Sequence, residues 1–212
     1  MPYSLVIFDL DGTLADSFPW FLRNVNDVAD RFGFSRVRDE DVQSLRHAGS
    51  REILRRLNVP LWKLPAIARH MQRMKAEHLA DIPLFPGTAA MLRALRDGGL
   101  TLVLVSSDNE VNARQQLGEA AHLFSHFDCG ASLFGKAAKF RRVVKRAGVA
   151  PSQVISIGDE LRDIEAARAA GIACGAVMWG SAAPEALRAL GPDMVFEQIE
   201  DIAARLKPHP PA

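Results

Sequence analysis

Cysteine is scarce. Cys129 and Cys174 are the only two in the chain, and they lie far apart with neither a CxxC pairing nor any other metal-ligand spacing. This argues against a thiolate metal site and favours two reduced, half-buried thiols in a reducing compartment. An excess of either charge is also missing: 26 Lys and Arg face 25 Asp and Glu, for a formal net charge of +1. Nothing in that balance would draw in a polyanion, so nucleic acid is not expected as a main partner. No hydrophobic run approaches the roughly 20 apolar residues of a membrane span. Met1-Pro2-Tyr3-Ser4 leads into a strand-like segment with no basic leader before it. A soluble, cytoplasmic protein without a membrane partner is expected. Internal repeats and low-complexity segments are absent too, and the Pro208-His209-Pro210-Pro211 tail reads as a frayed end.

What is present is an ordinary globular composition. The 212 residues are 48% hydrophobic and 24% charged, enough for one sizeable domain or a core with a smaller appendage. Leu5-Val6-Ile7-Phe8 is a short apolar run ended by Asp9-Leu10-Asp11-Gly12, the pattern of a strand buried on both faces. Similar runs are Leu102 to Val105, ended by Ser106-Ser107-Asp108; Val154 to Ile157, ended by Gly158-Asp159; Ala173 to Met178; and a weaker Met194-Val195-Phe196. Segments of helical period lie between them, around Met91, Leu92 and Leu95, around Phe140, Val143 and Val144, and around Ile164, Ala167 and Ala170 before Gly171. Strands alternating with such helices predict an α/β fold, a Rossmann-like parallel sheet covered on both faces.

Residues 16–81 break the alternation. Phe18, Phe21, Leu22, Val25, Val28 and Phe32 share one helical face, followed by Ile53, Leu54 and Leu57, then Ile67, Met71, Met74 and His78. An all-helical insertion after the first strand is expected, a small cap over a core made of residues 1–15 and 82–212. Thr88 reads as the N-cap of the helix that follows the return to the core.

The strongest chemical signal is positional. Asp9 and Asp11 follow the first strand, Ser106 and Ser107 the second, and Asp159 another, with Asp163 four residues on. In an open parallel sheet, ligands gather at the carboxyl ends of the strands, so three strand ends aim polar groups at one crevice. Carboxylates massed there repel each other unless a cation sits among them, and oxygen ligands favour a hard ion such as Mg²⁺.

These residues carry a resemblance. Over nearly its whole length the chain resembles the haloacid dehalogenase superfamily, in particular the phosphoglycolate-phosphatase-like branch with a helical cap. Asp9-Leu10-Asp11-Gly12-Thr13-Leu14 matches the first motif, Leu102 to Ser106 the second, and Gly158-Asp159-Glu160-Leu161-Arg162-Asp163 the fourth. The third is a lysine, for which spacing back from Gly148-Val149 favours Lys136 over Lys139, although Ala137 stands where many relatives have proline. Lys139, Arg141, Arg142, Lys145 and Arg146 then read as a solvated helix face.

The resemblance implies a phosphatase acting on a small phosphorylated metabolite through an aspartyl-phosphate on Asp9, as a monomer or homodimer. Asp11 would be the general acid and later the base. Mg²⁺ would be held by Asp9, the Asp11 backbone carbonyl and Asp159, while Ser106 and Lys136 bind the phosphoryl oxygens. Asp163 would orient Lys136 or a metal-bound water, and Thr13 either positions the nucleophile loop or is an ordinary turn hydroxyl. Ser107, His47 and Arg51 are candidates for substrate binding. Arg51 either grips a second anionic group or joins Arg55 and Arg56 on a solvated surface. A sugar-phosphate mutase of the same superfamily is the nearest enzymatic alternative. A phospho-aspartate receiver module is an alternative of another class, which the adjacent Asp11 and the long insertion argue against. Lys63 and Lys75 stand in no context matching the Schiff-base lysine of phosphonate-cleaving relatives.

Overall fold

β1 (Leu5–Phe8) is buried at every position because it lies inside a six-stranded, all-parallel sheet. The computed structural model describes residues 3–130 and 135–206, so the Pro208 to Pro211 tail lies outside the described residues. Strand order is β3-β2-β1-β4-β5-β6, with β2 spanning Thr101–Val105, β3 His126–Asp128, β4 Val154–Gly158, β5 Ala173–Val177 and β6 Met194–Phe196. Phe8 pairs in register with Leu104 on one side and Ile157 on the other, so β1, β2 and β4 end at one edge of the sheet. The side-chain alternation of a strand splits the core in two. Val6 and Phe8 face one apolar layer, with Leu102 and Leu104. Leu5 and Ile7 face the other, with Val103 and Val105. The first layer is closed by α5 (Thr88–Asp97), α6 (Glu110–Leu117) and α10 (Ile199–Leu206), the second by α7 (Lys136–Ala147), α8 (Leu161–Ala170) and α9 (Pro184–Ala189). Each fully buried large apolar side chain contributes about 1.5–3 kcal/mol of transfer free energy.

Between β1 and α5 the chain forms α1 (Phe18–Phe32), α2 (Asp39–Arg46), α3 (Ser50–Arg56) and α4 (Leu64–Glu77). It leaves and re-enters the core at adjacent points. Ala15 bridges Leu84 antiparallel, the Asp16 amide donates to the Pro83 carbonyl and the Phe85 amide to the Leu14 carbonyl, both at 2.9 Å.

Several local expectations change. Val25 and Val28 are buried on α1, but Phe21 is 40% exposed and Trp20 is buried in its place, in the core layer that also holds Leu14 and Ile82. Thr88 does not cap α5. Gly87 holds the cap position without a side-chain bond, and the buried Thr88 hydroxyl donates to the Leu14 carbonyl at 3.3 Å, tying helix to strand-end loop. β3, three residues beginning with a histidine, has too short and too mixed a pattern to register as a strand. Cys174 is fully buried rather than half-buried, and Cys129 is partly exposed; burial pushes the two thiols up, to about 12 and about 11. Among the described residues, no helix is long and apolar enough to cross a membrane.

Candidate active site

The Asp9 amide extends the β1 ladder by donating to the Ile157 carbonyl at 3.0 Å, which fixes the residue at the sheet's carboxyl edge. Its carboxylate is buried, with Lys136 Nζ 2.9 Å away. Lys136 opens α7 and also meets Asp163 Oδ1 of α8 at 2.5 Å. Burial acts to lower the Lys136 pKa, but Asp163 and Asp9 outweigh it, and the ammonium is held well above the ordinary lysine range. Ser106, buried at the end of β2, accepts a 3.0 Å hydrogen bond from the Asp108 amide on its hydroxyl oxygen. Ser107 is exposed, and its carbonyl accepts from Gln72 of α4.

Lys139 sits one turn further along α7 and has different work. Its ammonium donates to the carbonyls of Ser106, Asp128 and Gly130 at 3.0, 3.1 and 2.8 Å, closing the ends of β2 and β3. Lys139 is therefore buried rather than part of a solvated face. Arg142 stays on the exposed face, as expected, and binds the Asp128 carboxylate from there with Nε and Nη2.

Carboxylate oxygens of Asp9, Asp159 and Asp163 all lie within 4.8 Å of one another, and all three residues are buried. Asp159 is fully inaccessible. Thr13 Oγ1 donates to its Oδ1 at 3.0 Å, while the Ser181 amide and hydroxyl donate to its Oδ2 at 2.8 and 2.6 Å. Without a cation its pKa is pushed up to about 8, by burial first and then by the charges of Glu160, Asp163 and Asp9, with the Ser181 hydrogen bond acting in the opposite sense. When ionised, Asp9, Asp159, Glu160 and Asp163 carry four negative charges against two positive ones on Lys136 and Arg162, a formal surplus of two. A buried, oxygen-only cluster with that surplus fits a hard divalent cation. Asp163 meets Lys136, the partner it was expected to orient, and its carboxylate also belongs to the cluster. The Asp11 side chain does not: it points at Lys75.

Lys75 is the residue missed by sequence reasoning. It is the buried residue of α4, and its ammonium lies 2.6 Å from Asp11 Oδ1 and 2.9 Å from Asp108 Oδ2. Burial opposes its charge, but the two carboxylates more than offset that, and its pKa is raised. The available signal was a lone lysine within an amphipathic helix whose period placed Met71 and Met74 toward the core. Ser181, the other omission, follows β5 in a Trp-Gly-Ser turn, a polar group at yet another strand end. Trp179 is half-buried and donates from Nε1 to the Thr13 carbonyl at 3.1 Å. His47 ends α2 exposed, with Nδ1 against the Gln43 carbonyl and Nε2 3.8 Å from Glu185. Arg51 is exposed in the first turn of α3, whose Ser50 hydroxyl reaches Glu160 at 3.4 Å. Arg55 and Arg56 both clasp Glu52 at the surface.

An all-parallel sheet with buried carboxylates gathered at the ends of neighbouring strands defines an α/β protein with its polar site at the carboxyl edge of the sheet. The profile of the haloacid dehalogenase-like hydrolases matches residues 6–177, and the chain belongs to that family. It is 35% identical over 199 residues to the phosphoglycolate phosphatase of Synechococcus elongatus, covering 93% of this chain and 94% of that one. It is 31% identical over 218 residues to the phosphoglycolate phosphatase of Chromobacterium violaceum, covering 95% and 96%. A solved haloacid dehalogenase-like family hydrolase from Streptococcus pneumoniae shares the fold, with a TM-score of 0.77 at 21% identity over 95% of this chain and 97% of that one.

Proposed function

We propose that this enzyme is a Mg²⁺-dependent phosphatase that hydrolyses a small, carboxylate-bearing phosphate monoester such as phosphoglycolate through an aspartyl-phosphate on Asp9. The observation that carries this reading is the buried Asp9 carboxylate at the end of β1, 2.9 Å from Lys136 and within a cluster of three carboxylates. The similarity to two phosphoglycolate phosphatases over nearly the full chain supports the substrate class.

Asp9 attacks phosphorus in line, and its Oδ forms the bond to phosphorus as the alkoxide departs. Asp11, on the next turn of the loop, gives the departing oxygen its proton and later takes one from the water that cleaves the acyl-phosphate. Lys136 and the Ser106 hydroxyl bind the phosphoryl oxygens and stabilise charge in the transition state. Asp9, Asp159 and the Asp11 backbone carbonyl would hold Mg²⁺, with Asp163 beside them; bound there, the ion offsets repulsion between anionic nucleophile and anionic substrate. Residues 16–81 act as a cap that swings over Asp9 to exclude stray water and opens to exchange substrate and product. Arg51, beside Gly49 and His47, is the cap's candidate for the substrate's second charge.

The test is Asp9→Asn, which keeps the shape of the side chain but removes the nucleophile. Turnover should fall by several orders of magnitude with the fold intact by circular dichroism. Beryllium fluoride with Mg²⁺ should label wild type and not the variant. A folded Asn variant with undiminished turnover would exclude Asp9 as the covalent site.

A further inference from the structure

The turn after β5 touches three parts of the molecule that must act together. Trp179 Nε1 donates to the Thr13 carbonyl in the loop after β1. Gly180 lies so close to Asp159 that an added Cβ would stand 2.2 Å from the Asp159 Cβ and 2.6 Å from the Gly12 carbonyl oxygen. Ser181 places both its donors on Asp159 Oδ2. From the other side, Arg46 at the end of α2 donates from Nε to the Ser181 carbonyl at 2.8 Å and from Nη2 to the Gly180 carbonyl at 3.2 Å. The Ala183 amide returns a bond to the Arg46 carbonyl at 2.8 Å. The guanidinium is steadied over the Phe18 ring, 5.4 Å from its centroid.

We propose that Arg46 is a positioning residue that couples docking of the helical insertion to the geometry of Asp159, acting through Ser181. The inference rests on the metal-dependent reading given above. Arg46 and Asp159 pull on the same residue, one through its carbonyl and the other through its amide and hydroxyl. The Ser181 backbone therefore has little freedom once both sets of bonds are made, and the carboxylate it holds is pre-oriented. Hydrogen-bond partners of metal-ligating carboxylates typically change metal affinity by about 10- to 100-fold when removed, and this partner is itself held by the insertion. Linkage makes the effect reciprocal: if docking orders Asp159 for a cation, the cation must favour docking by the same factor.

The experiment is calorimetric titration of Mg²⁺ alone into metal-free wild type, Arg46→Met, Arg46→Lys, Ser181→Ala and the Met/Ala double variant, without substrate. Ser181→Ala should weaken Mg²⁺ binding about 10-fold or more. Arg46→Met should weaken it by about 3- to 30-fold, the range of coupling carried by residues that touch neither ligand. Lysine, which cannot span both carbonyls in a fork, should fall between wild type and Met. The double variant should bind worse than Ser181→Ala but by less than the sum of the two single losses, because alanine keeps the amide through which Arg46 still reaches Asp159 and loses only the hydroxyl. In hydrogen exchange, Mg²⁺ should slow the Ala183 amide in wild type and slow it less in Ser181→Ala, which keeps a readout should Arg46→Met fail to fold. A folded Arg46→Met with wild-type Mg²⁺ affinity overturns the coupling, as does a double variant showing the full sum of the two losses, or an Ala183 amide indifferent to Mg²⁺ in wild type. If wild type binds no Mg²⁺, the metal-dependent reading fails together with this one.

Discussion

Lys75 bridges Asp11 Oδ1 and Asp108 Oδ2 at 2.6 and 2.9 Å, so a single ammonium on α4 joins the loops that follow β1 and β2. Asp108 is also held by its own neighbours: its Oδ1 accepts from the Asn109 amide and from Asn112 Nδ2, and Asn112 donates in turn to the Gln72 carbonyl of α4. The insertion is thus fastened over Asp11 by polar contacts, which the lifting proposed above would exchange for water. Removing the ammonium alone strands the Asp108 carboxylate, which burial has desolvated, and leaves the half-buried Asp11 to water. Lys75→Met should therefore destabilise the protein by about 3–5 kcal/mol, read from urea denaturation. Asp108→Asn in the Met background should recover part of that loss, with a coupling of about 1 kcal/mol or more. Strictly additive losses would mean that the bridge contributes nothing to the fold.

The roles proposed for Asp9 and Asp11 separate by leaving group. A general acid contributes about 10² to 10⁴ in rate and matters most when the leaving group is poor. In burst kinetics, Asp11→Asn should slow phosphorylation by an alkyl phosphate over that range and change phosphorylation by p-nitrophenyl phosphate far less. Equal losses on both substrates would remove Asp11 from the acid role.

Asp159 makes the metal-free enzyme sensitive to pH. Its folded pKa is raised to about 8, whereas an unfolded aspartate ionises near 4. Between those values the native state keeps a proton that the unfolded chain has released, so stability falls as pH rises through that window. The melting temperature in EDTA should be lower at pH 8 than at pH 5.5. Added Mg²⁺ should raise it, and by more at pH 8, where the carboxylate gives up its proton most readily. A flat profile in EDTA would show that Asp159 is ionised throughout.

Gly12 lies at φ +73°, and an added Cβ would stand 2.2 Å from Asp159 Oδ2. Gly12→Ala should cost about 1–2 kcal/mol in backbone strain alone and should also push the carboxylate out of the cluster. We expect a lowered melting temperature together with at least a tenfold loss of Mg²⁺ affinity. A variant that binds Mg²⁺ normally would show that the crowding relaxes elsewhere.

The buried strands and the residues at their ends were legible because both depend on local pattern. Leu5 to Phe8 has the pattern of a two-sided strand, and Asp9, Ser106 and Asp159 came to view by standing at the ends of such runs. β3 was not legible, since a three-residue edge strand carries almost no period. Lys75 was hidden for a different reason. Its partner Asp11 is 64 residues away in sequence, and nothing within an amphipathic helix distinguishes a lysine that will be buried against carboxylates from one that will be solvated. The same holds for Lys139, whose basic neighbours suggested solvent while the sheet edge supplied three carbonyls instead.

The chain departs from the sheet layer at Ala15 and returns at Leu84, its hydrogen-bonded neighbour. Topologically the helices in between are a detour with a single doorway: they can be lengthened, shortened or traded for another set without re-threading any strand. Loop-closure entropy grows only slowly with length, so the sheet is nearly indifferent to how long the detour is. Evolution is left free to vary the helices of the detour while the side chains at the strand ends stay where they are.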